Sequence, residues 1–169
     1  MERLSLTRQD LSELSPNIGK LGDLDFLDLE GNALTVLPKE IGKLEKLREL
    51  YAPENRLQDL PPDLTSLKSL KVLALASNRF TEFPKEICGC TSLEVLDLGD
   101  NKITQIPPCI SLLKKLEIIG LQNNQLTTLP DEFFTLKKLK TIHLEDNPLD
   151  HAALGRIKST FPKAELVIE

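Results

Sequence analysis

The chain has 169 residues, of which 40% are hydrophobic and only 4% aromatic, so Leu and Ile must form most of the core of a single domain. Its formal charge of −5 and pI near 5.2 argue against nucleic acid and anionic membranes as partners. No apolar run approaches the length of a membrane span, and the first residues lack the apolar segment of a signal peptide.

Residues 1–23 are predicted to form an atypical first copy of a repeat that fills the rest of the chain. Leu4, Leu6 and Leu11 match the repeat positions described below, but Gln9 and Ser15 stand where later copies have Asn and Pro. This first copy therefore predicts a more polar strand at one end of a stack, as repeat proteins require.

Residues 24–138 form five regular repeats of 23 residues without insertion or deletion, and a last copy begins at Leu139. Each copy reads L-x-x-L-x-L-x-x-N-x-L, and its alternating L-x-L predicts a short strand with one buried face. A proline and two apolar residues spaced by three follow in each regular copy, which favours one or two helical turns. The prolines are Pro38, Pro61, Pro84, Pro107 and Pro130.

One asparagine recurs at the same offset in every copy, where the chain turns away from the strand. Its amide both donates and accepts, so it is suited to pairing backbone groups that the turn removes from water. We expect a structural ladder of Asn32, Asn55, Asn78, Asn101, Asn124 and Asn147.

Residues 139–169 are predicted to contain the last repeat and a C-terminal cap. Asp150 can begin a helix that presents Leu154 and Ile157 to the core, and Pro162 must end it. The segment from Ala164 to Ile168 then reads as a closing strand.

These copies resemble the leucine-rich-repeat superfamily, and the L-P-x-x-I-x-x-L variety is most similar to its intracellular Ras-suppressor-like and bacterial members. The resemblance implies one α/β domain over residues 1–169, a horseshoe solenoid with a parallel concave sheet and short helical or 3-10 convex segments. It also implies a monomeric, non-enzymatic interaction module or scaffold, as in signalling. The alternative is the recognition domain of a larger GTPase or ligase, or a bacterial effector whose activity lies outside this chain.

The three cysteines favour free thiols and a cytoplasmic location, because an odd count is not a disulfide framework. Cys88 and Cys90 could supply half of a zinc site, but zinc needs four ligands and no second pair follows. Cys90 also occupies a core position of the repeat. We therefore expect no metal.

His143 and Asp97 invite a catalytic interpretation, since both are predicted to point outward from the same row of the sheet. Gly120 lies on the strand between them, so their backbones should be about 10 Å apart, too far for a direct hydrogen bond. No nucleotide-binding or nucleophile motif is present. The sequence predicts no catalytic residue, no cofactor and no small-molecule substrate.

The concave face is the predicted partner site, and it is acidic. Seven copies place 35 residues on or beside it, of which twelve are acidic and five basic, against −5 for the whole chain. Such a field steers a partner with a basic rim, although a merely solvated surface is the alternative. The predicted contact residues are Phe26, Asp28, Glu30, Glu49, Tyr51, Glu54, Val72, Ala74, Val95, Asp97, Asp100, Ile118, Gly120, His143 and Glu145.

Val72, Val95 and Ile118 form an apolar strip at the centre of this face, among the small residues Ala74 and Gly120. An apolar centre with a charged rim is typical of protein interfaces and fits an apolar anchor on the partner. The alternative is that these residues only suit a strand. The convex face is a second candidate surface, as is a basic stripe of Arg56, Arg79 and Lys102, for which local ion pairing is the default expectation.

Overall fold

Eight short parallel strands form one open sheet whose spatial order follows the chain from β1 to β8. The computed structural model describes residues 2–168, so Met1 and Glu169, the ends of the predicted domain, lie outside the described residues. This architecture confirms the predicted parallel solenoid. The strands are β1 Glu2–Ser5, β2 Leu24–Asp28, β3 Glu49–Tyr51, β4 Val72–Ala74, β5 Val95–Asp97, β6 Ile118–Gly120, β7 Thr141–His143 and β8 Glu165–Val167.

Neighbouring repeats pair at an offset of 23 residues, so identical repeat positions form rows across the sheet. Leu73 pairs with Leu96, and Leu96 with Ile119, and all three are fully buried. The residues on either side of each point outward because side chains alternate along a strand. The repeat length thus decides which side chains meet on both faces.

Six 3-10 helices of five residues each cover the other side of the sheet. A proline at the N-cap starts five of them, while Ser15 starts the first and its Oγ accepts a hydrogen bond from the Asn17 amide at 3.2 Å. Each presents an apolar residue such as Ile41 or Leu64 to the core. The helices are Pro16–Lys20, Lys39–Lys43, Pro62–Ser66, Lys85–Gly89, Pro108–Leu112 and Asp131–Thr135.

The asparagine side chains join successive repeats through buried hydrogen bonds. Asn101 Oδ1 accepts from the Phe80 amide of the preceding repeat at 3.1 Å, and its Nδ2 donates to the carbonyls of Leu75 and Leu98. Equivalent bonds link every repeat from Asn32 to Asn147. Each amide therefore pairs backbone groups that have lost contact with water.

The residue before each asparagine adopts a left-handed backbone conformation, which repeat spacing alone did not predict. Gly31 has φ +67°, and Glu54, Asp100 and Asp146 have φ between 52° and 55°. L residues other than Asn and Asp rarely adopt this conformation, so the turn orients these side chains at some energetic cost.

The C-terminal segment forms one α-helix, α1 His151–Thr160, and the closing strand β8, which confirms the predicted helix and strand. Asp150 Oδ1 accepts a hydrogen bond from the Ala153 amide at 2.6 Å and so caps the helix. Ile157 is buried beneath it, while Leu154 is half-buried. The helix ends two residues before Pro162.

Two of the three cysteines form a disulfide, so the prediction of three free thiols is wrong. Cys88 and Cys109 lie on neighbouring 3-10 helices with their Cα atoms 5.8 Å apart, within the usual range for a disulfide. Their separation is 21 residues rather than 23, so inspection of aligned repeat positions does not bring them together. Cys88 is buried, not semi-exposed as expected, and Cys90 is the free and fully buried thiol.

Alkylation should distinguish these cysteines in protein purified without reductant. We expect iodoacetamide to modify no cysteine in the folded protein, because Cys90 is buried and burial raises the pKa of its thiol to about 11. After unfolding, one cysteine should react without reductant and three with it, as counted by mass spectrometry. Three reactive cysteines in the unfolded, unreduced protein would contradict the disulfide.

Candidate functional site on the sheet face

The outward side chains of the strands, with the turn residues that follow them, form the surface that we call the sheet face. It contains all fifteen predicted contact residues. Glu54, Asp100 and Ile118 are exposed, Gly120 is buried, and the others are half-buried. These residues share one face because of strand alternation, but they fall into three groups along it.

The apolar strip is continuous across three strands. Val72 pairs with Val95 and Val95 with Ile118, so the three side chains are direct neighbours. Ile118 is 38% exposed, which makes it one of few large apolar side chains with so much surface in water. The strip offers apolar contact area at the middle of the sheet.

An aromatic group lies at the N-terminal end of the face. The Phe26 and Tyr51 rings are 5.5 Å apart, and the guanidinium of Arg3 lies 3.7 Å from the centre of the Phe26 ring. The Tyr51 hydroxyl donates to Glu49 Oε2 at 3.4 Å, and burial together with this carboxylate raises the pKa of Tyr51. Phe26 and Tyr51 are thus already packed against each other, at some distance along the sheet from Ile118.

A recess of about 400 Å³ opens where β5, β6 and β7 end, and we call it the Gly120 recess. Its lining includes Ile118, Gly120, Gln122, His143 and Glu145 as well as the side chain of Asp97. The His143 Nδ1 and Glu145 Oε1 atoms are 3.7 Å apart. Asp97 and His143, predicted to be too far apart for direct contact, therefore line one recess from opposite sides.

The glycines of this region support neighbouring polar side chains. A Cβ on Gly120 would come within 2.6 Å of Asp97 Oδ1, and a Cβ on Gly99 would overlap the Gln122 amide. The space above these glycines, expected to be open, is therefore partly filled, and both glycines are buried. Sequence reasoning missed Gln122, although an amide beside two glycines was the available signal.

Most ion pairs of the face lie away from this recess. Lys71 pairs with Glu94 at 2.8 Å and Lys140 with Glu117 at 2.6 Å, both before the strands begin. The Lys71 hydrogen bond lowers the pKa of the Glu94 carboxyl. Exposed pairs of this kind contribute little to stability.

The basic stripe does not form the expected local ion pairs. Glu54 pairs with Arg8 at 3.3 Å rather than with Arg56, because Arg8 reaches across from two repeats away. Arg56, Arg79 and Lys102 are exposed and have no ion pair within residues 2–168.

The described part of the chain contains no group of three or more His, Cys, Asp or Glu side chains that could hold a metal ion. None of the helices between residues 2 and 168 combines the length and apolar character needed to cross a membrane.

Two family models match the chain in sequence. One describes a leucine-rich repeat region and matches residues 2–98, and the other describes a leucine-rich repeat and matches residues 91–149. Both concern leucine-rich repeats in general, so the Ras-suppressor-like type stays a prediction. No curated protein matches the chain.

Solved structures from several organisms resemble the chain. A leucine-rich-repeat protein of Leptospira interrogans is 28% identical with a TM-score of 0.54, over 96% of this chain and 59% of its own. The ectodomain of the Arabidopsis thaliana receptor kinase GASSHO1/SCHENGEN3, in complex with Casparian strip integrity factor 2, is 34% identical with a TM-score of 0.72, over 86% of this chain and 18% of its own. A Listeria monocytogenes internalin, InlF, has a TM-score of 0.78 at 23% identity, over 92% of this chain and 44% of its own, and supports the fold alone. This chain spans less than two thirds of each relative.

Proposed function

Because this chain belongs to the leucine-rich-repeat family, we propose that it is a non-enzymatic module that binds a segment of another protein on its sheet face. The observation that carries this proposal is the exposed apolar strip of Val72, Val95 and Ile118 at the middle of a regular sheet. The resemblance to a receptor ectodomain solved with a bound factor supports it. The partner would cover the strip with an apolar anchor.

The strip can provide binding free energy because it is apolar surface held in place by the repeats beneath it. Covering apolar surface yields roughly 25 cal/mol per Å², and central desolvated contacts usually dominate an interface. Leu50, Leu73 and Leu96 lie fully buried under the strip and its neighbours, so the surface needs little ordering when a partner binds.

Capture from native lysate with matched variants tests the proposal. Ile118→Arg places a long charged side chain on the strip, whereas Leu112→Arg makes the same kind of change at a 52% exposed leucine of the helical side. We expect proteins captured by wild type and by Leu112→Arg to be lost from Ile118→Arg, as quantified by mass spectrometry. Retention by Ile118→Arg together with loss from Leu112→Arg would place the interface on the helical side.

The acidic side chains around the strip should accelerate association with a basic partner. Replacing Asp97 and Asp100 with lysine should slow association and weaken its dependence on salt, because the steering field is lost. Surface plasmon resonance with a partner captured as above measures both rates. If the double variant binds with unchanged rates at low and high salt, steering is excluded.

A second proposal is that this chain is the recognition part of a larger protein, such as a GTPase, a ligase or a bacterial effector. The observation that favours it is that the chain spans 59% or less of the relatives described above. The full-length gene product decides between the two proposals.

The cytoplasmic location likewise stays a prediction, and the Cys88–Cys109 disulfide argues against it, because disulfides persist mainly in oxidising compartments. Cell fractionation combined with alkylation before lysis tests the location and the redox state together.

A further inference from the structure

We propose that the Gly120 recess receives an arginine side chain of the protein partner. This inference rests on the proposed function and identifies the chemistry of one contact within it. The recess lies beside Ile118, so a polypeptide segment that covers the apolar strip passes over its mouth.

The first argument is that acceptors in the recess lack donors. Gln122 Oε1 and Glu145 Oε2 are both out of contact with water and have no hydrogen-bond partner in the described structure. A buried acceptor without a donor is costly, so these two atoms favour a ligand that brings N–H groups. Small rotations of the two side chains would turn both oxygens toward the recess.

The second argument is charge complementarity. Asp97 and Glu145 contribute two carboxylates, and none of the described residues that line the recess is a lysine or arginine. Asp97 Oδ1 accepts only the Gly99 backbone amide, at 3.0 Å, which leaves its other oxygen for a ligand. The cations of the sheet face are engaged elsewhere, as in the Lys71–Glu94 and Lys140–Glu117 pairs.

The third argument selects arginine over lysine. The acceptors belong to three separate side chains, Asp97, Gln122 and Glu145, which suits the five N–H groups of a planar guanidinium better than a compact ammonium. Val95 and Ile118 supply an apolar wall. A guanidinium is more weakly hydrated than an ammonium and tolerates this partly dry surrounding.

The test is an NMR titration of the isotope-labelled chain with N-acetyl-arginine amide. N-acetyl-citrulline amide serves as the neutral control of similar shape, and N-acetyl-lysine amide as the other cation. We expect the arginine compound to cause saturable shifts at the amides of Gly120, Gln122 and Glu145. The citrulline compound should cause none, and the lysine compound should bind more weakly.

A matched pair of variants locates the site. Asp97 and Asp28 occupy the same repeat position, and each accepts a backbone amide two residues ahead at 3.0 Å. Asp97→Asn should weaken arginine binding about tenfold, because a hydrogen bond to a charged group contributes roughly 1.5–3 kcal/mol. Asp28→Asn should leave it unchanged. Both substitutions keep the accepting oxygen, so both variants should fold.

Equal weakening by the two variants, shifts spread over all carboxylates, or equal binding of the lysine compound would overturn the assignment. Its failure is separate from failure of the proposed function. If Ile118→Arg abolishes partner capture while the arginine compound does not bind the recess, the interface stands and the arginine contact is wrong. If the compound binds but Ile118→Arg retains the partner, the proposed interface is wrong.

Discussion

Leu96→Ala should lower the free energy of unfolding by about 2–5 kcal/mol, the usual range for truncating a buried leucine. Leu96 is fully buried between Leu73 and Ile119, its partners on the two neighbouring strands. Because each repeat packs only on its neighbours, a cavity at this position weakens two interfaces of the stack at once. Chemical denaturation followed by circular dichroism measures the loss.

Leu112→Ala is the matched control for this prediction. It removes the same atoms from a side chain that is 52% exposed on the helical side, so the change should be well below that of Leu96→Ala. Similar losses in the two variants would mean that burial at Leu96 does not determine its contribution.

Asn101→Ala should lower the free energy of unfolding by about 1–3 kcal/mol, because it leaves buried backbone groups without partners. The Phe80 amide loses its acceptor, and the Leu75 and Leu98 carbonyls lose a donor. The affected groups lie in two successive repeats, so the variant should also loosen their junction. Hydrogen exchange at the Phe80 amide should become faster, which a general loss of packing would not single out.

Asn17→Ala provides the control for the asparagine ladder. Asn17 is exposed in the first 3-10 helix, where its backbone amide, not its side chain, donates to Ser15 Oγ. We expect a change within about 0.5 kcal/mol, as for surface substitutions in general. A comparable loss at both positions would indicate that the amide hydrogen bonds of Asn101 contribute nothing measurable.

The two binding arguments depend on different parts of the sheet face. The apolar strip could be predicted because Val72, Val95 and Ile118 occupy one repeat position, and pairing at the repeat offset makes such residues neighbours. The Gly120 recess could not, because it depends on side chains that lean across strands. Gln122 packs over Gly99, and Asp97 over Gly120, and neither contact joins equivalent repeat positions on the same strand.

Sequence alone determined the fold of this protein: the strands, the helical segments and the rows of buried leucines. The physical reason is that a constant 23-residue period leaves one way to stack identical units and bury their apolar positions. Tertiary structure alone decided the Cys88–Cys109 disulfide, the Arg8–Glu54 ion pair across two repeats, and the acceptors left without donors at Gln122 and Glu145. These features arise where side chains reach off their own repeat position, and the direction in which a side chain leans is set by its neighbours in space rather than by the period.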